Sequence, residues 1–225
     1  MDYESTKKFW NIMFSKKNSG VNINEEDDLL KKLKLIKLFL TENCEKILDY
    51  GFGTGSFLIE MMTSDIKEGY GIELSEKGIE ICEENAFKKS IKNLNLLLGG
   101  VEKIQDFSNE FFDSVIISNV LDNITLCDSK KLLEEAHRTL KINGKLYVKL
   151  NDYINDEKIL KNTSIFEKEI EEDFYLETSG LYFWNISDEK FEDLIKDKFT
   201  VEDKFKIHFK KHDAYNRVWL LKKQA

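Results

Sequence analysis

Three glycines at alternate positions, Gly51, Gly53 and Gly55, follow an apolar run in "KILDYGFGTGSFLIEM", and Asp49 stands just before them. Glycines in such a loop let backbone approach a ligand closely, because no Cβ intervenes. A pyrophosphate cradle needs G-x-G-x-x-G or A, with a third small residue for packing helix on strand. Counted from Gly51 that third position is Ser56, and counted from Gly53 it is Leu58. The first frame fits poorly and the second fails. Asp49 also brings a carboxylate, which repels pyrophosphate and attracts a cation or an ammonium group.

A second carboxylate, Glu73, lies in "EGYGIELS", 24 residues beyond Asp49. At the tip of a second strand it is placed to accept hydrogen bonds from ribose hydroxyls. The two stretches together ask for adenosine with a ribose diol and for a positive group over the glycine loop. S-adenosylmethionine (SAM) has both, since its sulfonium and α-amino groups are cationic. NAD binding is a weaker reading of the same residues.

The elements that must hold these groups follow from periodicity. Leu29, Leu33, Ile36 and Leu40 recur on one face of a helix over 25–42, with acids at its start and lysines after them. Strands are predicted at 46–50, 69–73, 94–98, 112–118 and 144–150, and helices at 55–63, 76–88, 101–107 and 128–141. Such alternation implies a mostly parallel sheet covered on both faces, a Rossmann-like doubly wound α/β fold. A helix at 187–197 and two strands joined by "KKHDA" supply an antiparallel C-terminal pair. The expected organisation is one domain. Residues 1–24 form an N-terminal helical extension whose boundaries the pattern does not fix. Residues 25–151 are the SAM-binding core, and 152–186 an aromatic insertion read as a substrate cap; the aromatics Phe9–Trp10 and Tyr175 through Trp184 are candidates for a lid over the cofactor's open side, with covering a sheet edge as the alternative. Residues 187–225 are the C-terminal helix and strand pair.

The segments "LDYGFGTG" and "GIELS" resemble motifs I and II of the class I SAM-dependent methyltransferases. "FFDSVIISNVLDNI" resembles that family's fourth-strand segment, and "EEAHRTLKINGKLYVKL" resembles its E-A-x-R-x-L-K-P-G-G segment, with Ile142-Asn143-Gly144 in place of the Pro-Gly turn. The resemblance implies that Asp49, Gly51, Phe52, Gly53 and Gly55 surround the methionine end of SAM. It implies that Glu73 holds the ribose, with Leu74 beside the adenine. Where the family often has an acid that bonds the adenine amino group, this chain has Gly100, which leaves Val101 and Glu102 as candidates. Asn119 and Val120 occupy the fourth-strand exit, near the transferred methyl. Asp122 is a candidate general base and Asn123 a candidate orienting group, each with helix capping or a solvent-facing role as the alternative. Asp113, Arg138 and the histidines His137, His208 and His212 read as structural.

Composition narrows the partners. With 34 basic and 42 acidic residues the net charge is −8, against the clustered basic face that nucleic acid needs. No stretch is long and apolar enough to span a membrane, and the N-terminus does not resemble a secretory signal. Three widely spaced cysteines suit a reducing cytoplasm and make no metal-ligand pattern. Asn151, Asp152 and Asp122 together are too unspecific to argue for a metal, and none is expected. Proline is absent where about 11 would be usual, which rules out the N/D-P-P-Y/F loop and the Pro-Cys dipeptide of related enzymes acting on amines of nucleic acids, protein glutamine or cytosine carbon. The expectation is a cytoplasmic methyltransferase acting on O or N of a small-molecule acceptor. The alternative is a methyltransferase-fold protein that binds SAM or its product without turnover.

Overall fold

Ile47, Leu48, Asp49 and Tyr50 of β1 (Lys46–Tyr50) are all buried, on both faces of the strand. Only a strand inside a doubly covered sheet is enclosed in this way. In the computed structural model, which describes residues 3–16, 27–209 and 214–224, β1 lies between two parallel partners. These are β2 (Glu68–Glu73) and β4 (Phe112–Ser118). The sheet has seven strands in the order β3-β2-β1-β4-β5-β10-β9. Here β3 is Leu94–Leu98, β5 Leu140–Asn151, β9 Phe199–Phe209 and β10 Ala214–Lys223. β10 runs antiparallel to both its neighbours, as the C-terminal pattern predicts. The turn at 210–213, which includes His212, lies outside the described residues.

Helices α2 (Asp27–Thr41) and α3 (Ser56–Met62) cover one face, burying Ile36, Leu40, Leu58 and Met61 against Ile116 and Tyr147 of the sheet. On the opposite face, α5 (Leu126–Thr139) and α7 (Asp188–Ile195) bury Leu132, Leu133 and Phe191 around Trp219. α4 (Glu76–Lys88) packs Cys82 and Ala86 against Phe52 and Ile59. Side-chain oxygens cap three of these helices: Ser75 accepts from Gly78 N, Thr125 from Asp128 N, and Ser187 from Lys190 N. The stretch predicted as a helix at 101–107 is a short 3-10 turn, Lys103–Asp106.

Two regions differ from expectation. β5 begins at Leu140, and no turn separates it from α5. Instead Asn143 takes φ +62° and the pairing with β4 slips between Phe112 and Ser114, so the Ile142-Asn143-Gly144 stretch acts as an irregularity within the strand. Residues 152–186 build a small sheet of β6 (Phe166–Glu171), β7 (Phe174–Glu177) and β8 (Tyr182–Trp184), preceded by α6 (Glu157–Leu160). Phe166, Tyr175 and Phe183 bury against one another there, with Ile154 and Leu160.

Asp113 and Arg138 do bind backbone. Asp113 Oδ2 accepts from Glu45 N and Lys46 N, and Arg138 donates to the carbonyls of Ile104 and Phe107. His137 meets Phe199 edge-on, and His208 stacks on Tyr215.

Candidate functional site

A cavity of about 820 Å³ opens above the C-terminal ends of β1, β2, β4 and β5. The glycine loop forms part of its floor, and its three glycines do different things. Gly51 sits at φ +73°, and a Cβ there would stand 2.4 Å from Val120 Cγ2, so the loop and the β4 exit touch through it. Gly53 donates its N–H to Glu73 Oε2 at 2.8 Å. Gly55, also at φ +73°, faces Cys82 Sγ, 2.1 Å from where a Cβ would be. It lets α3 start against α4 and does not itself line the cavity, unlike its neighbours Thr54 and Ser56.

Asp49 is 2% exposed, and its Oδ1 has no hydrogen-bond partner. Burial, and then the nearby Glu73 charge, push its pKa up to about 8, with Lys149 opposing. Glu73 is also buried, and burial raises its pKa. Backbone N–H groups counter this: Oε2 accepts from Gly53 and Oε1 from Ser75 at 2.8 Å. An ionised carboxylate has about four lone-pair sites, more than the backbone donors Gly53, Ser75 and Leu74 fill. Two neighbouring buried acids, one of them with an orphaned oxygen, make a site suited to cations and hydroxyl donors.

Phe52, Leu74, Val101, Asn119 and Val120 line the same cavity. Glu102 does not: it turns back, and its Oε1 accepts from Gly100 N at 2.9 Å. Asn119 takes φ +54°, donates its N–H to Lys149 O and its side-chain amide to Asn151 Oδ1. Asn123 lines the cavity, and its amide donates to Asn119 O and Asp122 Oδ1, both at 3.0 Å.

Asp122 is placed differently from its reading as a general base. It is 1% exposed, lies off the cavity, and its Oδ2 accepts from Asn151 N at 2.6 Å. Its carbonyl accepts from Trp184 N at 2.8 Å. Burial raises its pKa to about 6, against the N–H groups of Asn151 and of Asp122 itself. Asp122 therefore ties the β4 exit to the ends of β5 and β8. Asp152 pairs with Lys206 at 2.7 Å, and among the described residues no group of three His, Cys, Asp or Glu is arranged to hold a metal.

The roof is α1 (Glu4–Lys16), which presents Thr6, Trp10 and Phe14 to the cavity, while Tyr3 lines it from just before the helix. Asn11 Oδ1 accepts from Ser75 Oγ and Lys77 N, Lys7 pairs with Glu76, and Tyr3 donates to Asp128. The aromatic insertion 152–186, expected as a substrate cap, contributes no residue to the cavity lining. It supports the roof from behind: Tyr182 meets Tyr3 edge-on, and Gly180 abuts Ser5. Trp10 belongs to the Phe9–Trp10 pair read as a candidate lid; the unread signal was the spacing of Tyr3, Trp10 and Phe14, one helical face at i, i+7 and i+11. Lys149 of β5 was missed as well; it also lines the cavity.

Comparison with known proteins is consistent with this geometry. A family model described as "Methyltransferase domain" matches residues 41–211. Mouse arsenite methyltransferase is 30% identical over 116 residues, covering 47% of this chain and 30% of that protein. A probable cobalt-precorrin-6B C(15)-methyltransferase of Saccharolobus solfataricus is 28% identical over 122 residues, covering 53% and 58%. The chain thus spans well under two thirds of the length of either relative. The N-methyltransferase NodS of Bradyrhizobium japonicum, solved with S-adenosylhomocysteine (SAH), superposes with TM-score 0.70 at 9% identity, over 99% of this chain and 100% of that one. At that identity the likeness is one of fold.

Proposed function

We propose that this chain, which belongs to the class I SAM-dependent methyltransferase family, moves a methyl group from S-adenosylmethionine to an oxygen or nitrogen atom of a small-molecule acceptor. The observation that carries the reading is the unpartnered Oδ1 of Asp49 at the cavity floor. An ammonium or sulfonium nearby supplies the positive charge that this buried acid lacks. The cofactor's features fit the other residues as well. Glu73 keeps free lone pairs for a ribose diol, and Leu74 and Val101 offer apolar walls for a purine. Gly51, Phe52, Gly53, Asn119 and Val120 bring the glycine loop and the β4 exit against it.

When bound, the cofactor supplies a methyl group on a sulfonium, open to in-line displacement. The protein's share is alignment and exclusion of water. Asn123 donates its amide to Asn119 O and Asn119 donates its own to Asn151 Oδ1, a chain of hydrogen bonds that fixes the wall beside the reacting centre. Thr6, Trp10 and Phe14 of α1 cover the cofactor side. With Asp122 turned away, the site relies on placement more than on a carboxylate base. A cavity of about 820 Å³ suits a cofactor with a small acceptor. The net charge of −8 favours small molecules over nucleic acid as partners. Free Cys44, Cys82 and Cys127 accord with a cytoplasmic setting, and no described helix is long and apolar enough to cross a membrane.

Two measurements test this. Calorimetric titration is expected to show SAH binding and no NAD binding; the opposite pattern overturns the cofactor assignment. Incubation with methyl-labelled SAM and pooled metabolites is expected to yield a labelled small molecule. SAH binding without any labelled product would overturn the transfer.

A further inference from the structure

Past the glycine loop the cavity continues beneath α2 toward β5 and β9, and this second lobe has apolar walls. Leu30 and Leu33 come from α2, Phe57 and Met61 from α3, and Ile207 and Phe209 from β9. Lys149 stands out among them. The residue is half-buried and lines the cavity, with its ammonium 5.8 Å from the Phe209 ring centre. No described residue hydrogen-bonds to that ammonium or pairs with it within 4 Å; Asp122 and Asp49 act on it only through space, while burial lowers its pKa. Lys34 adds a second cation at the rim, and Lys37 is already engaged by Glu60 at 2.6 Å. A chain with net charge −8 thus places an unpaired, half-buried ammonium in an apolar lobe. Such a group costs free energy until an anion meets it.

Strand order separates this lobe from the cofactor. Asp49 and Glu73 lie on β1 and the neighbouring β2, whereas Lys149 lies on β5, on the far side of β4. A ligand whose ammonium meets Asp49 and whose ribose meets Glu73 extends away from Lys149. One ammonium, with no arginine beside it, matches a single negative charge better than a phosphate, which is usually met by several donors. Resting on the SAM reading above, we propose that this lobe receives the methyl acceptor, and that the acceptor is an apolar molecule whose carboxylate is held by Lys149.

The test uses the full chain saturated with SAH at pH 7, with 2-naphthoate and its neutral isostere 2-naphthamide as probes followed by calorimetry or ligand-observed NMR. Naphthoate is expected to bind at least tenfold tighter than naphthamide. Lys149→Met is expected to bring the two within twofold, Lys149→Arg to keep the preference, and both to hold SAH within threefold of wild type. Equal binding of the two probes to wild type, or no binding of either, overturns the inference while leaving the cofactor assignment standing. So does a preference that survives Lys149→Met. A tenfold loss of SAH affinity in Lys149→Met would assign the ammonium to the cofactor's own carboxylate and overturn the acceptor assignment. Failure of wild type to bind SAH at all overturns both readings. SAH binding therefore separates the two failures.

Discussion

The amide of Gly53 donates to Glu73 Oε2 at 2.8 Å, so the residue that ends β2 also holds the loop that follows β1. A carboxylate expected to serve a ligand is at the same time a clasp between two strand exits. Glu73→Ala should therefore weaken SAH at least tenfold, about 1.4 kcal/mol, while the fold survives. Glu73→Gln should lose less, because its amide oxygen still accepts from Gly53. Gly53→Val, at φ +60° and close to the Phe14 ring, should match Glu73→Ala. Calorimetry with circular dichroism checks this; unchanged affinity in folded Glu73→Ala would show the site misplaced.

Asp49 ties stability to pH. Its pKa of about 8 in the folded chain lies above its ordinary value of 3.8. Below about pH 4 the carboxyl is protonated in both states, and between about 4 and 8 only the unfolded chain ionises it. Folded stability from this group is thus complete at low pH and is lost as pH rises through about 8. Unliganded Asp49→Asn should be spared this loss, gaining at least about 3 °C in Tm on wild type between pH 5 and 8. Parallel melting curves for the two proteins would refute it. Binding of SAH near pH 7 should also release protons in wild type and not in Asp49→Asn, read from calorimetry in two buffers.

Asp122 is a brace by its contacts. Asp122→Ala leaves the Asn151 N–H without its acceptor and should cost about 1–3 kcal/mol. That corresponds to a drop in Tm of about 2–4 °C per kcal/mol. Activity of Asp122→Asn should keep the shape of the wild-type pH profile. A limb near pH 6 present in wild type and lost in Asp122→Asn would restore Asp122 as a base.

Gly55 offers the opposite separation. Gly55→Ala forces a side chain into φ +73° and against Cys82 Sγ, at a combined cost of about 2–4 kcal/mol. Adding Cys82→Ala removes the nearest atom and should recover part of the loss. SAH affinity of the folded double variant should stay within threefold of wild type. A tenfold loss would put Gly55 back at the ligand.

Much of this was readable in advance, for a local reason. β1, β3 and β4 match their predicted limits because short apolar runs between turn residues have few alternatives. Asp49 and Glu73 were legible as cavity-lining candidates because strand ends place them. The Asp122 contact was not legible because its partner, the Asn151 amide, is 29 residues further on, and only the register of β4 with β5 brings them together. The seating of the roof was unreadable for the same reason: Asn11 meets Ser75, and Tyr3 meets Asp128, across separations that no sequence period records. The aromatics from Tyr175 to Trp184 read as a lid because large rings suit both an interior and a ligand, and here Tyr175 and Phe183 pack into an interior with Phe166.

β10 follows every other strand in chain order yet lies between β5 and β9, carrying Trp219 with no exposure at all. During synthesis, β9 emerges with no neighbour to join until residues 214–223 have followed it out. Until then β5 is an open edge with its backbone groups unpaired, a surface prone to sticking to other chains. Ribosome-bound chains stalled before residue 214 should therefore be the aggregation-prone species, and the step that makes the sheet whole is an insertion between two strands already made.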